Sequence, residues 1–499
     1  FIRVGNRGYG SGAVLQDDTF ERNIKGANAA GVKAGVYFFS QAVNVEEAKE
    51  DYNCVLEMSQ MATTFARRDS ADSNTIEQTV SVIDSDGDVV ATSENVIGIV
   101  RFARGSATEV LEYQEVEPSR NQGYIHPYYI TDAAYIRTEA DGIVCKAAGV
   151  TMKIPLTGVG EIISYKNQKI SYYSVSDNGY LVHTYTYYSG ENINYASTRV
   201  GYKPDYLTRG AKYYSYDGHY FYATFENMIA DYQTGKHGKA VNANNPYYNY
   251  YQYLPFHSQT NYSKDEINNY IGSKYSEKPT SNKTSNLTSK QSLLFGEGEA
   301  FVKGNETGVN PLLTLSVAIN ESGWGRSSIA LSKNNIFGLN AVDSNPQDAA
   351  DTFNNVADCV NVFMQQYITH GYLDTKNDSR YYGGHLGDKA SGMNVKYASD
   401  PYWGEKAAAH SYSIDEYLGK KDFQKYSIGI KISANAVNVY KEANTSSNVI
   451  YSLKNSYSNL NVTHMPVILL DKTNNWYKIY TDHALDENRN RIVKIEIGS

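Results

Sequence analysis

The sequence predicts a multidomain α+β chain: one mostly helical domain flanked by small all-β modules, with a partial β/α unit ahead of them. Three observations carry this. Residues 292–418 hold apolar runs at helical spacing, whereas the stretches on either side alternate in short runs broken by turn residues. The first sixty or so residues instead alternate strand-like and helix-like segments, the pattern of a parallel sheet. Finally, 499 residues with 20% charged side chains suit several ordinary domains rather than one.

In chain order, Phe1-Ile-Arg-Val-Gly reads as a strand already in progress, followed by a helix over 20–30, an apolar strand over 35–40 and a second helix over 45–61. Residues 63–169 are expected to form a β-rich module. Within it, Asp86-Gly87 marks a hairpin turn between alternating apolar residues. Asp84, Asp86 and Asp88 mimic the opening of a calcium loop, but the glutamate such a loop needs later is missing. Residues 170–271 form a Tyr-rich hairpin module: 23 of the 46 tyrosines fall between Tyr172 and Tyr275, and Asp217-Gly218 marks another turn. Tyrosine suits both thin-cored sheets and sugar surfaces, and the two readings are compatible. Residues 272–291, rich in Ser, Thr, Asn and Lys, read as a linker or a long surface loop. The helical domain spans 292–420. Alternating strands return over 421–499, and the chain is expected to end before its last strand is complete.

Composition excludes several function classes. The formal charge of −8 argues against nucleic acid, and no run approaches the roughly 18 apolar residues of a membrane span. Cys54, Cys145 and Cys359 match no metal or disulfide spacing, and Cys359 shares an apolar helix face with Val356, Val360 and Phe363. The ten histidines include no His-x-x-x-His pair, so neither a metal nor another cofactor is expected, and a zinc amidase is disfavoured.

Four stretches of the helical region bear on a polysaccharide site. Asn320-Glu321-Ser-Gly-Trp324-Gly follows an apolar run opened by Pro311, placing a carboxylate on the last turn of a buried helix. The negative helix end and an apolar wall both disfavour the ionised form, which raises its pKa as a glycosidase's proton donor requires. The plain alternative is a surface glutamate at a helix end. Asn334 and Asn335 precede Phe337-Gly338, offering amides for sugar hydroxyls beside a backbone that a glycan can approach. Tyr381-Tyr-Gly-Gly-His-Leu-Gly-Asp388 is a Gly-rich loop suited to a groove edge. Lys396-Tyr397-Ala-Ser-Asp400-Pro-Tyr402-Trp403 is an aromatic cluster. Trp324 reads equally as packing or as a sugar platform, and Asp400 sits where a helix N-cap belongs.

Glu321-Ser-Gly-Trp-Gly-Arg-Ser-Ser-Ile-Ala, Asn334-Asn-Ile-Phe-Gly-Leu-Asn-Ala and Tyr397-Ala-Ser-Asp-Pro-Tyr-Trp occur in the order that resembles glycoside hydrolase family 73, the endo-β-N-acetylglucosaminidases of peptidoglycan. The resemblance implies a lysozyme-like helical catalytic domain that cuts beside N-acetylmuramic acid on the reducing side of N-acetylglucosamine, with Glu321 as general acid. The second group stays open between a carboxylate (Asp343 or Asp400) and the substrate's own 2-acetamido oxygen, oriented by Tyr397 or Tyr402; substrate assistance is slightly favoured. Asn320, Trp324, Asn334, Asn335, Phe337, Gly338, Tyr402 and Trp403 would line the glycan site. The Tyr-rich region resembles β-modules that precede the catalytic domain in pneumococcal-type glucosaminidases. Residues 134–159 and 421–499 resemble bacterial Src-homology-3-like modules, the latter a wall-binding repeat. Arg3-Val-Gly-Asn-Arg-Gly-Tyr-Gly-Ser-Gly and Gly31-Val-Lys-Ala-Gly-Val-Tyr-Phe-Phe-Ser-Gln resemble the second and third units of glycoside hydrolase family 25 barrels. That family's acids are absent, so 1–62 is expected to be a barrel remnant without catalysis. The implied partner is cell-wall peptidoglycan, met outside a Gram-positive cell by a monomer. A lytic transglycosylase and a non-catalytic wall-binding protein are the alternatives.

Overall fold

A computed structural model describes residues 2–7, 13–17, 19–29, 36–39, 82–83, 89–91, 98–104, 110–116, 119–139, 141–341 and 346–483. The expected helix over 45–61, Cys54, the aspartates of the calcium-like turn and Asp343 lie outside these residues.

At the start, β1 (Ile2–Arg7) pairs antiparallel with β2 (Val14–Gln16) and parallel with β3 (Val36–Phe39). Between β2 and β3 runs α1 (Phe20–Ala29). A short antiparallel pair follows, β4 (Val82–Ile83) on β5 (Val89–Ala91).

The next body is a seven-stranded antiparallel sheet of β6 (Gly98–Phe102), β7 (Leu111–Val116), β8 (Ser119–Ile125), β9 (Ala133–Glu139), β10 (Gly142–Ala147), β11 (Val150–Pro155) and β12 (Val159–Ser164), in the order β12-β6-β9-β10-β11-β7-β8. Alternation sets its inner face, where Val100, Tyr135, Cys145, Met152 and Ile154 are buried together. A four-stranded sheet follows: β13 (Tyr172–Val175), β14 (Tyr180–Ser189), β15 (Asn192–Tyr202) and β16 (Lys212–Tyr213). The turn expected at Asp217-Gly218 carries φ +69° at the glycine, and Tyr214 bridges Tyr222 across it.

The Tyr-rich stretch is not all hairpin. It also contains α2 (Phe225–Thr234), α3 (Tyr250–Tyr253) and α4 (Lys264–Lys274). Thr224 caps α2, and Ser263 with Glu266 forms a capping box on α4. Tyr251, Leu254, Phe256, Ile267, Tyr270 and Ile271 belong to the same buried core as the helices that follow, so that core begins well before residue 292. Residues 272–291 are tied back to the helical body. Glu277 bridges Gln291, Ser292 N–H donates to Glu277 O (3.0 Å), and the Lys278 ammonium reaches Glu297.

The helical body continues with α5 (Gly298–Val302), α6 (Gly304–Thr307), α7 (Pro311–Ser322), α8 (Ser328–Lys333), α9 (Pro346–Ala349), α10 (Val356–Val362), a π-helix (Phe363–Tyr372), α11 (Asn394–Tyr397) and α12 (Trp403–Tyr417). The helix that carries Cys359 thus changes register midway, and the Thr369 hydroxyl donates to the Met364 carbonyl five residues back (2.8 Å). Cys359 is fully buried, its thiol pushed up to about 12 by desolvation. The chain then forms β17 (Ser427–Lys431), β22 (Met465–Thr473) and β23 (Trp476–Tyr480) as one sheet. Hairpins β18 (Asn438–Tyr440) with β19 (Val449–Ser452) and β20 (Lys454–Asn455) with β21 (Leu460–Asn461) complete it.

The Gly-rich loop at 381–388 does not edge a groove. It is buried between the helical body and the last β-module, where the Tyr381 hydroxyl donates to Asp482 (2.8 Å). Its glycines permit backbone contact: a Cβ on Gly387 would lie 1.9 Å from Ser391 O.

Candidate active site

The site is built on α7. Asn310 caps it, its side-chain Oδ1 accepting from Leu312 N–H (2.8 Å) and Leu313 N–H (3.1 Å), and Pro311 takes the first helical position. Every residue from Pro311 to Ile319 is buried. The helix ends where the glycine signal placed its end: Gly323 is left-handed (φ +54°), Trp324 stays left-handed (φ +66°) and donates its N–H to Ile319 O (3.1 Å). The Ser322 hydroxyl accepts from Gly325 N–H (2.7 Å), so the turn after Glu321 is held rigidly.

Glu321 is half-buried at this last turn. The Trp403 indole N–H donates to its Oε1, and the Asn320 amide reaches the same oxygen at 3.4 Å. Burial of the carboxyl pushes its pKa up to about 7; those two donors oppose the shift, and the charge of Asp400 adds to it. No cation pairs with it among the bonds described. Gly338 (φ +65°) closes the other side, where a Cβ would sit 3.9 Å from Oε2. Tyr397 packs its ring 4.6 Å from that of Trp403 and donates its hydroxyl to Phe337 O (2.9 Å). Beyond Tyr397 comes Tyr372, with ring centroids 5.9 Å apart, and then an open recess of about 560 Å3 lined by Gln366, His370, Asn377, Asp378 and Arg380.

Glu321, Asn320, Gly338, Tyr397 and Trp403 therefore come together. Several expected sugar contacts do not. Trp324 packs on Tyr270 (5.8 Å), Tyr275 (5.6 Å) and His410 (6.3 Å), so the indole touching the acid is that of Trp403. Asn334 is the left-handed cap of α8, and its amide donates to Phe353 O (3.0 Å). Asn335 is 1% exposed, donating to Leu339 O and Asp351 O and accepting from Leu339 N–H, so its amide is fully engaged within the fold. Phe337 is buried, stacked 3.8 Å from Phe363. Tyr402 turns away from the acid, against Tyr185 (4.6 Å) and His183 (5.0 Å) of the four-stranded sheet. Asp400 is engaged at both oxygens, accepting from Tyr402 N–H (2.9 Å) and pairing with Lys406.

One partnership was not legible in sequence. Glu405, two residues past Trp403, meets His183 of β14 at 3.0 Å, both nearly fully buried. Beside them lies a cavity of about 40 Å3 whose lining includes Asp217, His219, Asn249 and Asp388. The separation of 222 residues leaves no local signal for such a pair. Among the described residues, no group of three or more His, Cys, Asp or Glu is arranged to hold a metal ion, and no helix is long and apolar enough to cross a membrane.

Residues 298–416 match the family model described as mannosyl-glycoprotein endo-beta-N-acetylglucosaminidase. This stretch is a glucosaminidase domain, of the glycoside hydrolase class. Two Streptococcus pneumoniae proteins, from strains TIGR4 and R6, are provisionally named endo-beta-N-acetylglucosaminidase. Each is 34% identical over 227 residues, or 42% of this chain. The match spans 31% and 29% of those relatives' own lengths. Among solved structures, S. aureus Autolysin E aligns at 18% identity over 34% of this chain and 72% of its own, with a TM-score of 0.24. A variant of it complexed with the disaccharide NAG-NAM aligns at 16% identity over 34% of this chain and 73% of its own, with a TM-score of 0.23.

Proposed function

We propose that this chain is a peptidoglycan hydrolase that cleaves the β-1,4 bond between N-acetylglucosamine and N-acetylmuramic acid outside a Gram-positive cell, with Glu321 as the general acid. The observation that carries this reading is a desolvated carboxyl with a pKa of about 7, hydrogen-bonded only to neutral donors, on the last turn of α7. Such a group is about half protonated at pH 7 and can hand its proton to a leaving glycosidic oxygen.

The second step follows from what surrounds the acid. Asp400 has both oxygens engaged, so it is poorly placed to activate water. Tyr397 donates its hydroxyl hydrogen to Phe337 O, which leaves lone pairs on the phenol oxygen. That oxygen accepts from the substrate's acetamido N–H and turns the acetamido carbonyl toward the anomeric carbon. Attack there forms a ring intermediate as Glu321 protonates the departing oxygen; Glu321, now a carboxylate, then deprotonates the incoming water. The pneumococcal relatives support the same reading, since their names are those of endo-β-N-acetylglucosaminidases.

The test is zymography on purified peptidoglycan with the parent and Glu321→Gln. The parent clears the gel and E321Q does not, while both sediment with insoluble walls. Clearing by E321Q would remove the acid from Glu321. Mass spectra of the products are expected to show reducing-end N-acetylglucosamine; anhydromuramic ends would make the enzyme a lytic transglycosylase instead.

A further inference from the structure

Helix α11 is a single turn, yet it carries Tyr397, and the residues just after it carry Asp400. One turn cannot hold itself: its closing carbonyls have no partners within the helix. Here they are met from outside. Lys389, 1% exposed, directs its ammonium to Asn394 O (2.9 Å) and Ala398 O. From the other side, β8 of the seven-stranded sheet supplies the Tyr124 hydroxyl to Lys396 O (2.6 Å), and His126 N–H donates to Ser399 O (3.1 Å). The Lys389 ammonium also lies 5.1 Å from the Tyr124 ring, so the two grips meet. Four backbone carbonyls around Tyr397 are thereby fixed, two by a buried cation and two by another module.

We propose that Lys389 and Tyr124 are positioning residues for the reaction: they clamp α11 so that Tyr397 stays against Trp403 and beneath Glu321. The seven-stranded sheet is then part of the catalytic scaffold. This rests on the reading of Glu321 and Tyr397 given above. Neither residue needs to touch substrate; each acts through the backbone that sets the Tyr397 ring, and small misplacements of such a group are costly to rate.

Lys389 also makes the clamp sensitive to pH. Burial lowers its pKa to about 7; Asp400 and Asp388 oppose this, and Lys396 adds to it. Below that value the bonds to Asn394 O and Ala398 O are charge-assisted, and above it they are neutral and weaker.

The experiment uses the full chain and a soluble, uncrosslinked strand of alternating N-acetylglucosamine and N-acetylmuramic acid, comparing the parent, Lys389→Met, Tyr124→Phe and Glu321→Gln at pH 6 and pH 8.5. K389M is expected to lower kcat about tenfold at pH 6 with KM within about twofold, and by clearly less at pH 8.5. Taking the ratio to the parent at each pH cancels the titration of Glu321 itself. Y124F, which keeps the ring, is expected to lower kcat about threefold at unchanged Tm. An equal loss at both pH values that follows a lowered Tm would make Lys389 merely structural and overturn the proposal. So would parental kcat in both K389M and Y124F alongside an inactive E321Q. An active E321Q would instead sink the reading of the acid.

Discussion

Two carboxylates, one half-buried and one almost fully buried, lie on either side of one helix start. Glu321 meets Trp403, the first residue of α12, while Glu405, two residues on, meets His183. Glu321 receives only uncharged donors from an indole and an amide, and burial drives its pKa to about 7. Glu405 faces an imidazole at 3.0 Å and stitches the four-stranded sheet to the helical body. Removal from water thus serves opposite ends. With uncharged indole and amide donors, desolvation makes a proton donor; opposite a buried imidazole, a carboxyl makes a joint between modules.

The largest effect that would break this contrast is on rate. E321Q is expected to lose about three orders of magnitude in wall lysis, the scale of a lost general acid, as followed by turbidity of a wall suspension. Next comes the joint: His183→Ala is expected to cost about 1–3 kcal/mol, because it leaves the buried Glu405 carboxyl without its imidazole partner. The pH at which activity declines should not move in H183A, and a shifted decline would show that the two carboxylates are coupled.

The third prediction concerns stability. The folded pKa of Glu321, about 7, lies above the unfolded value near 4.5, so between those values the folded chain holds the proton more tightly. Stability falls as pH rises through that window, by up to about 3 kcal/mol at pH 8. E321Q carries no such penalty, so its Tm should exceed the parent's at pH 8 and match it at pH 4. An equal difference at both pH values would mean that Glu321 is not desolvated as described.

Smaller effects sharpen the picture. Trp403→Phe removes the N–H that favours the ionised form of Glu321, so the alkaline decline in kcat should move upward by about one pH unit. Gly338→Ala strains a left-handed residue (φ +65°) beside the acid and is expected to cost about 1 kcal/mol, read as a lowered Tm.

Local signals proved informative wherever one segment decides its own structure. The Asn-Pro opening and Gly-Trp-Gly ending of α7 are marked in sequence, as are the Asp217-Gly218 turn and the strands near 438–440, 449–452 and 476–480. Helices α2 and α4 also carried caps, at Thr224 and at Ser263 with Glu266, but the surrounding tyrosines pulled the reading toward hairpins. For Asn334, Asn335 and Phe337, residue type pointed to sugar contacts, yet the fold uses two of them as loop ties and one as core. An amide's partners depend on what packs against it, and nothing nearby in the chain reveals that.

From the amino acids alone came a carboxylate at the end of an apolar helix, with a tendency toward a raised pKa, because capping, glycine and apolar spacing act over a few residues. Tertiary structure alone decided that Trp403 rather than Trp324 meets that carboxyl, that Asp400 is tied to Lys406, and that Lys389 and Tyr124 grip the turn bearing Tyr397. Those contacts join residues from five to 272 positions apart. Desolvation and hydrogen-bond pairing depend on distance in space, and most of those distances exist only once the modules have packed.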